Sequence, residues 1–192
     1  MSETKVTRWV RLGDYIEQCD ERAGNDFTVD DVIGISTDKK FIPTKANMDG
    51  VSLNSYKIVN PHEFAYVADT SRRGDKIAIA LLEDYDEALV SNVYTVFEII
   101  DEKQLIPEYL MLWFSRPEFD RYARFKSHGS VREVMDWDEM CKVDLPIPAY
   151  EKQKEIVDSY KTITERIALK QKINDNLSVS YTHLRAHETS QD

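Results

Sequence analysis

The sequence predicts an α+β fold: a globular part of short strands and helices over residues 1–148, followed by one long projecting coiled-coil helix over residues 149–177. Three observations point there. Short runs rich in β-branched and aromatic residues, of strand length, fill the chain as far as Ile100. Beyond Ile100 the apolar residues recur at helical spacing. From Tyr150 to Leu177 there is neither glycine nor proline, so no residue in that stretch ends a helix.

In chain order, Val32–Ile35, Tyr56–Val59, Phe64–Val67, Ile77–Leu81 and Val93–Ile100 read as strands. Asn47-Met48-Asp49-Gly50, Asn60-Pro61 and Arg73-Gly74-Asp75 separate them. Each supplies a turn, because Asn, Asp and Gly tolerate the left-handed region and Pro presets φ. Pro107 opens a helix with Tyr109, Leu110, Leu112, Trp113 and Phe114 as its apolar face. Pro117 opens a second, with Phe119, Tyr122 and Phe125 at three-residue steps. Asp136 or Asp138 caps a further short turn, and Val143–Pro148 is extended because each Pro disfavours helix in its predecessor. In the final helix Ile156, Tyr160, Ile163 and Ile167 form a stripe that drifts to Leu169, Ile173 and Leu177. Twenty-eight residues at 1.5 Å each make about 42 Å of helix. Such a stripe is buried either by a second long helix, as in a coiled coil, or by the helix's own domain. Residues 178–192 do not continue the pattern. Val179–Thr189 resembles a reading frame through a transposase-derived sequencing adapter, so 178–192 is read as a non-native tail.

Composition excludes several classes. No run of about 18 apolar residues exists, and the start holds no secretory signal, which predicts a cytoplasmic protein without a membrane span. Cys19 and Cys141 are isolated and lack C-x-x-C spacing, so neither a disulfide framework nor a structural zinc site is expected. The net charge of -10 counts against a polyanionic partner, yet charge is segregated along the 192 residues. Ser115–Arg132 carries Arg116, Arg121, Arg124, Lys126 and Arg132 against Glu118 and Asp120. Lys39/Lys40/Lys45 and Arg72/Arg73/Lys76 are smaller clusters. Local cations, not the total, decide whether phosphates are neutralised, although solvated faces carry similar runs.

Catalytic motifs are missing one by one. His62-Glu63 begins like a zincin helix, but Tyr66 stands where the second His belongs. The His183/His187 pair falls in the foreign-looking tail. No glycine-rich phosphate loop occurs. Asn60-Pro61-His62-Glu63-Phe64 departs from the Asn-Pro-Pro-aromatic loop of adenine methyltransferases at two positions. The acidic groups Glu83–Glu87 and Asp136–Glu139 lack calcium-loop spacing. No catalytic residue, metal ligand or bound cofactor is expected. What remains is Phe125–Arg132, a polar basic loop whose Ser, His, Lys and Arg side chains suit phosphates and base edges.

The chain to Leu177 resembles one half of the DNA-specificity subunit of a type I restriction-modification system. The resemblance is carried by Trp9–Ile16, Gly34-Ile35-Ser36, Phe41–Asn47, Tyr56–Val59, Phe64–Tyr66, Val90-Ser91, Tyr94–Phe97, Tyr109-Leu110, Gly129–Arg132, Leu145–Pro148 and Glu151–Val157, in that order. It implies a target-recognition domain joined to a conserved spacer helix that pairs antiparallel with that of a second specificity half. It also implies double-stranded DNA as ligand, each domain reading one part of a split target, with DNA adenine methyltransferase (modification) subunits and restriction subunits as partners. S-adenosylmethionine, ATP and Mg²⁺ would belong to those partners, the subunit itself being non-catalytic.

Within that frame residue chemistry nominates Lys39, Lys40, Lys45, Arg72, Arg73, Lys76, Arg116, Arg121, Lys126 and Arg132 for phosphates. Ser127, His128 and Ser130 are nominated for base edges. Ile156, Tyr160, Ile163, Ile167, Ile173 and Leu177 are nominated for helix pairing. The competing reading is a non-catalytic assembly module of the modification complex that acts through its long helix. A third, the recognition portion of a fused methyltransferase or nuclease, needs catalytic motifs before Met1, where the chain is expected to begin with its own initiator.

Overall fold

The computed structural model describes residues 8–24, 26–44, 46–69, 76–127 and 134–188. The chain divides into two units, Met1–Gln153 and Lys154–Asp192. Its described elements are β1 (Arg8–Arg11), β2 (Ile16–Cys19), β3 (Ile33–Ile35), β4 (Phe41–Pro43), β5 (Lys57–Val59), β6 (Phe64–Val67), β7 (Ala78–Leu81), β8 (Ala88–Val90), β9 (Tyr94–Ile99), α1 (Pro107–Phe114), α2 (Pro117–Ser127), α3 (Trp137–Cys141), β10 (Asp144–Ile147) and α4 (Tyr150–Glu188).

The first unit is built on a four-stranded antiparallel sheet of order β2-β9-β6-β7. Its register pairs Ile16 with Ile99, Phe64 with Phe97 and Phe64 with Leu81. Strands β6 and β7 are buried at every position, and their unbroken apolar runs carry the signature of a sheet covered on both faces. The two-residue period assigns the faces. Phe64 and Phe97 stack at 4.9 Å on one face and meet Phe114, at the end of α1, edge-on. On the other face Ala65, Val67, Ala78, Ala80 and Val96 form one core with Ile33 and Ile35 of β3, Val59 of β5 and Val90 of β8. The small alanines let these layers approach.

Three two-stranded pairs complete the unit: β1-β10, β3-β4 and β5-β8. The β1-β10 pair brings the first strand against the last, with Val10 opposite Leu145, and Leu12 N–H donates to the Val143 carbonyl at 2.8 Å. Just after β1, Gly13 lies so close to Cys141 that an added Cβ would stand 2.6 Å from the Cys141 Cβ.

Pro107 occupies the first turn of α1, and Tyr109, Leu110 and Phe114 are its buried face. The expected apolar face of α2 needs correction. Phe119, Asp120, Ala123 and Ser127 point inward, Tyr122 is half-buried and Phe125 is 76% exposed. The reason is angular: each three-residue step falls about 60° short of a full turn, so two steps carry Phe125 about 120° off the face that Phe119 defines. α3 is capped as expected, Asp136 accepting the Glu139 N–H at 2.9 Å.

Helix α4 continues past Leu177 to Glu188, beyond the expected boundary of the spacer. No glycine or proline follows Pro148, so nothing local stops it. In its first turn Gln153 is fully buried. The Gln153 Oε1 accepts the Ile106 N–H at 2.9 Å, while Nε2 donates to the carbonyls of Gln104 (2.8 Å) and Pro148 (2.9 Å). In the second unit Tyr160, Ile163, Ile167, Leu169, Ile173 and Leu177 are all about half exposed or more, and Ile156 is partly buried. No described helix is long and apolar enough to cross a membrane.

Candidate nucleic-acid interface

Three basic segments that are far apart in sequence meet at Asp120, on the inward face of α2. The Asp120 carboxylate lies 2.7 Å from the Lys39 ammonium, in the turn between β3 and β4, and its Oδ1 accepts the Ile77 N–H at 3.2 Å just before β7. Lys40 and Lys76 flank these two anchor points and are exposed. Lys76 is near enough for its charge to act on Lys39.

This arrangement corrects one nominated residue. Lys39 is not a surface cation; its side chain is 6% exposed, its Nζ also donates to the Phe114 carbonyl, and it stands 5.7 Å from the centre of the Phe119 ring. Its backbone takes φ 58°, uncommon for a residue with a Cβ. Burial pushes the Lys39 pKa below the ordinary lysine value, with the Asp120 partner pulling it back up. The ammonium is committed to the fold, and so is the Asp120 charge that the sequence set against the basic segment.

Ser127 is also corrected. It is fully buried, and its hydroxyl donates to the Ala123 carbonyl one turn earlier, so it is turned away from any base edge.

The remaining described candidates stand on or beside α2. The Arg116 guanidinium carbon stands over the Trp113 ring, 4.2 Å from its centre, with Nε 3.4 Å from Glu118. Arg121 is 71% exposed and approaches the same Glu118 at 3.4 Å. A hydrogen bond from its own backbone N–H, then these two guanidinium groups, hold the Glu118 carboxyl below the usual range. Lys126 sits 5.6 Å from the Tyr122 ring centre and 3.5 Å from Glu139. The contacts of Arg116 and Arg121 with the exposed Glu118 are weak at such distances and exchange readily for a phosphate, whereas the Glu139 oxygen that Lys126 approaches is buried. Lys45, Arg72, Arg73, His128, Ser130 and Arg132 lie outside the described residues.

A cleft of about 290 Å³ opens beside Arg116, lined by Trp113, Glu118, Phe119, Tyr122, Val143 and Asp144. Its two carboxylates do not suit a phosphate. Cys19, Glu63 and Glu98 bring possible metal-ligand atoms within 4.8 Å of one another. Glu63, however, already accepts the Asn60 N–H at 2.8 Å, and burial followed by the two carboxylates pushes the Cys19 pKa upward, keeping the thiol protonated.

Sequence reasoning missed Asp120 and Gln153. The first was counted only as a charge and the second not singled out at all. An acid in the first turn of a helix and a polar residue in a helix-opening turn are both common at surfaces, so only their burial marks them.

Known proteins supply the remaining context. No curated protein matches the chain by sequence. Among solved structures, one described by "Structural basis underlying complex assembly and conformational transition of the type I R-M system" has a TM-score of 0.56 at 13% identity, over 96% of this chain and 45% of that one. The HsdS subunit from Thermoanaerobacter tengcongensis gives a TM-score of 0.49 at 14% identity, over 88% of this chain and 40% of its own. The type I restriction-modification S subunit from M. genitalium gives 0.43 at 8%, over 86% and 43%. The chain thus spans less than half the length of each of these proteins. Residues 32–179, most of the sequence, match the type I restriction modification DNA specificity domain, and the chain belongs to that family.

Proposed function

We propose that residues 1–148 read one half of a bipartite double-stranded DNA target, with the outward side of α2 as the contact surface. The observation that carries this reading is the gathering of Lys40, Lys76, Arg116, Arg121 and Lys126 on and around one helix of a chain whose net charge is -10. Counterions are released only where cations meet phosphates, so a local basic surface suffices on an acidic protein. Lys45, Arg72, Arg73 and Arg132 extend the phosphate-binding set in this reading, and His128 and Ser130 read base edges.

The protein is non-catalytic in this reading. It delivers an adenine methyltransferase and, through it, a restriction subunit to a sequence, and S-adenosylmethionine, ATP and Mg²⁺ are bound by those partners. Ile156, Tyr160, Ile163, Ile167, Ile173 and Leu177 pair α4 with the helix of a second specificity half. The exposed stripe from Tyr160 to Leu177 equally favours an assembly module working through α4 alone.

Salt titration separates the two readings. A DNA reader loses affinity for a 20-bp duplex linearly in log salt, and Arg121→Gln plus Lys126→Gln lowers the slope by about 0.9 per phosphate contact removed. An assembly module shows no such slope and no change.

A further inference from the structure

Phe125 serves no role described so far. It is the most exposed of the large apolar residues among those described, at 76%, and lies on the side of α2 away from Phe119, Asp120, Ala123 and Ser127. Arg121 stands one turn earlier on the same side, itself 71% exposed, and Arg124 and Lys126 flank Phe125 in sequence. Glu118, the acid on this side, is shared between Arg116 and Arg121. The helix is pinned from behind, because Asp120 holds both Lys39 and the Ile77 N–H. An aromatic ring is thus presented to solvent on a firmly held helix, between cations.

We propose that α2 lays this side in the major groove of duplex DNA and that Phe125 packs on the 5-methyl group of a thymine. The inference rests on the reading of the chain as a DNA reader. The major groove has the width to admit a helix, and the thymine methyl is the apolar group that base pairs display there, a recognised partner for Phe. Cations on either side of the ring match phosphates that border the groove. The complementarity is to a polyanion carrying a buried methyl, which favours DNA over an uncharged apolar protein surface.

The test begins by selecting bound duplexes from a random 20-bp pool with the full wild-type chain and with Phe125→Ala. Each thymine of the wild-type motif is then replaced by uracil, which removes only the methyl. Wild type is expected to lose about fourfold in affinity at one position, the worth of one buried methyl-sized group. Phe125→Ala should lose at least as much on the thymine duplex, ignore that uracil, and keep the salt slope, which Arg121→Gln lowers. The uracil series on wild type stands even where the variant folds poorly. Unchanged selection and affinity in Phe125→Ala, a motif without thymine, or indifference of wild type to every uracil would overturn the inference while leaving DNA reading intact. Failure of wild type to enrich any sequence would overturn the DNA reading, and this inference with it.

Discussion

Replacing Lys39 by Met distinguishes a structural cation from a phosphate contact. The Lys39 and Asp120 side chains are 6% and 12% exposed and 2.7 Å apart. Without the ammonium, the Asp120 carboxylate keeps, among the described residues, the Ile77 N–H at 3.2 Å, in a site nearly closed to water. An unpaired charge left in such a place costs about 3 kcal/mol. For a domain of this size each kcal/mol moves the melting temperature by about 2–4 °C, so Lys39→Met should melt about 6–12 °C below wild type. Adding Asp120→Asn removes the stranded charge while keeping an oxygen for Ile77, and the double variant should regain more than half of the loss. Lys40→Met, one residue further and exposed, should stay within about 0.5 kcal/mol of wild type. Circular dichroism melts and urea titrations read these differences. The same proteins are titrated with duplex at several salt concentrations, where Lys40→Met is expected to lower the slope and Lys39→Met is not. A Lys39→Met protein that melts with wild type and loses about 0.9 of salt slope would refute the reasoning, because its ammonium would then face phosphate.

Gln153→Ala removes three hydrogen bonds and leaves the Ile106 N–H without its acceptor, for a loss of about 2–3 kcal/mol in urea titration and faster amide exchange at Ile106. Gly13→Ala forces its Cβ against Cys141 and should cost about 1–3 kcal/mol by the same titration. The thiols should be slow. Burial, followed by Glu63 and Glu98, raises the Cys19 pKa, and burial raises that of Cys141, so thiolate is scarce at neutral pH. Reaction of the folded chain with a disulfide reagent should therefore still be climbing steeply with pH at 9, where an unshifted thiol is already about half ionised and bends toward its plateau. A plateau at or below pH 8 would contradict the raised values.

The long-range apolar runs were legible because burial on both faces leaves no polar residue to interrupt them. Phe64–Val67 and Ile77–Leu81 become the fully buried β6 and β7, and the Val93–Ile100 run becomes β9. Pro107, Pro117 and Asp136 marked helix starts because their constraints are local. β1, β2, β4 and β8 carried no such mark. Each is three or four residues long, and Glu17 and Gln18 of β2 face solvent. Their status as strands comes from partners remote in sequence. The candidate site divides the same way. Charge clustering drew attention to α2, but whether a given Lys points outward depends on an acid elsewhere, and Lys39 finds Asp120 across 80 intervening positions of unrelated chain. Three-residue spacing alone misassigned Phe125, since a helix does not close in three.

The pairing of Arg8–Arg11 with Asp144–Ile147 joins strands from the two ends of the first unit. During synthesis β1 leaves the ribosome with no partner, and the backbone groups it shares with β10 stay in water until nearly the whole unit has been made. Ordering by so distant a contact is entropically late, which sets folding in the slower class of high contact order. A nascent chain stalled before Asp144 should thus be open to protease at its leading strand, and the same chain released after Ile147 should close and resist.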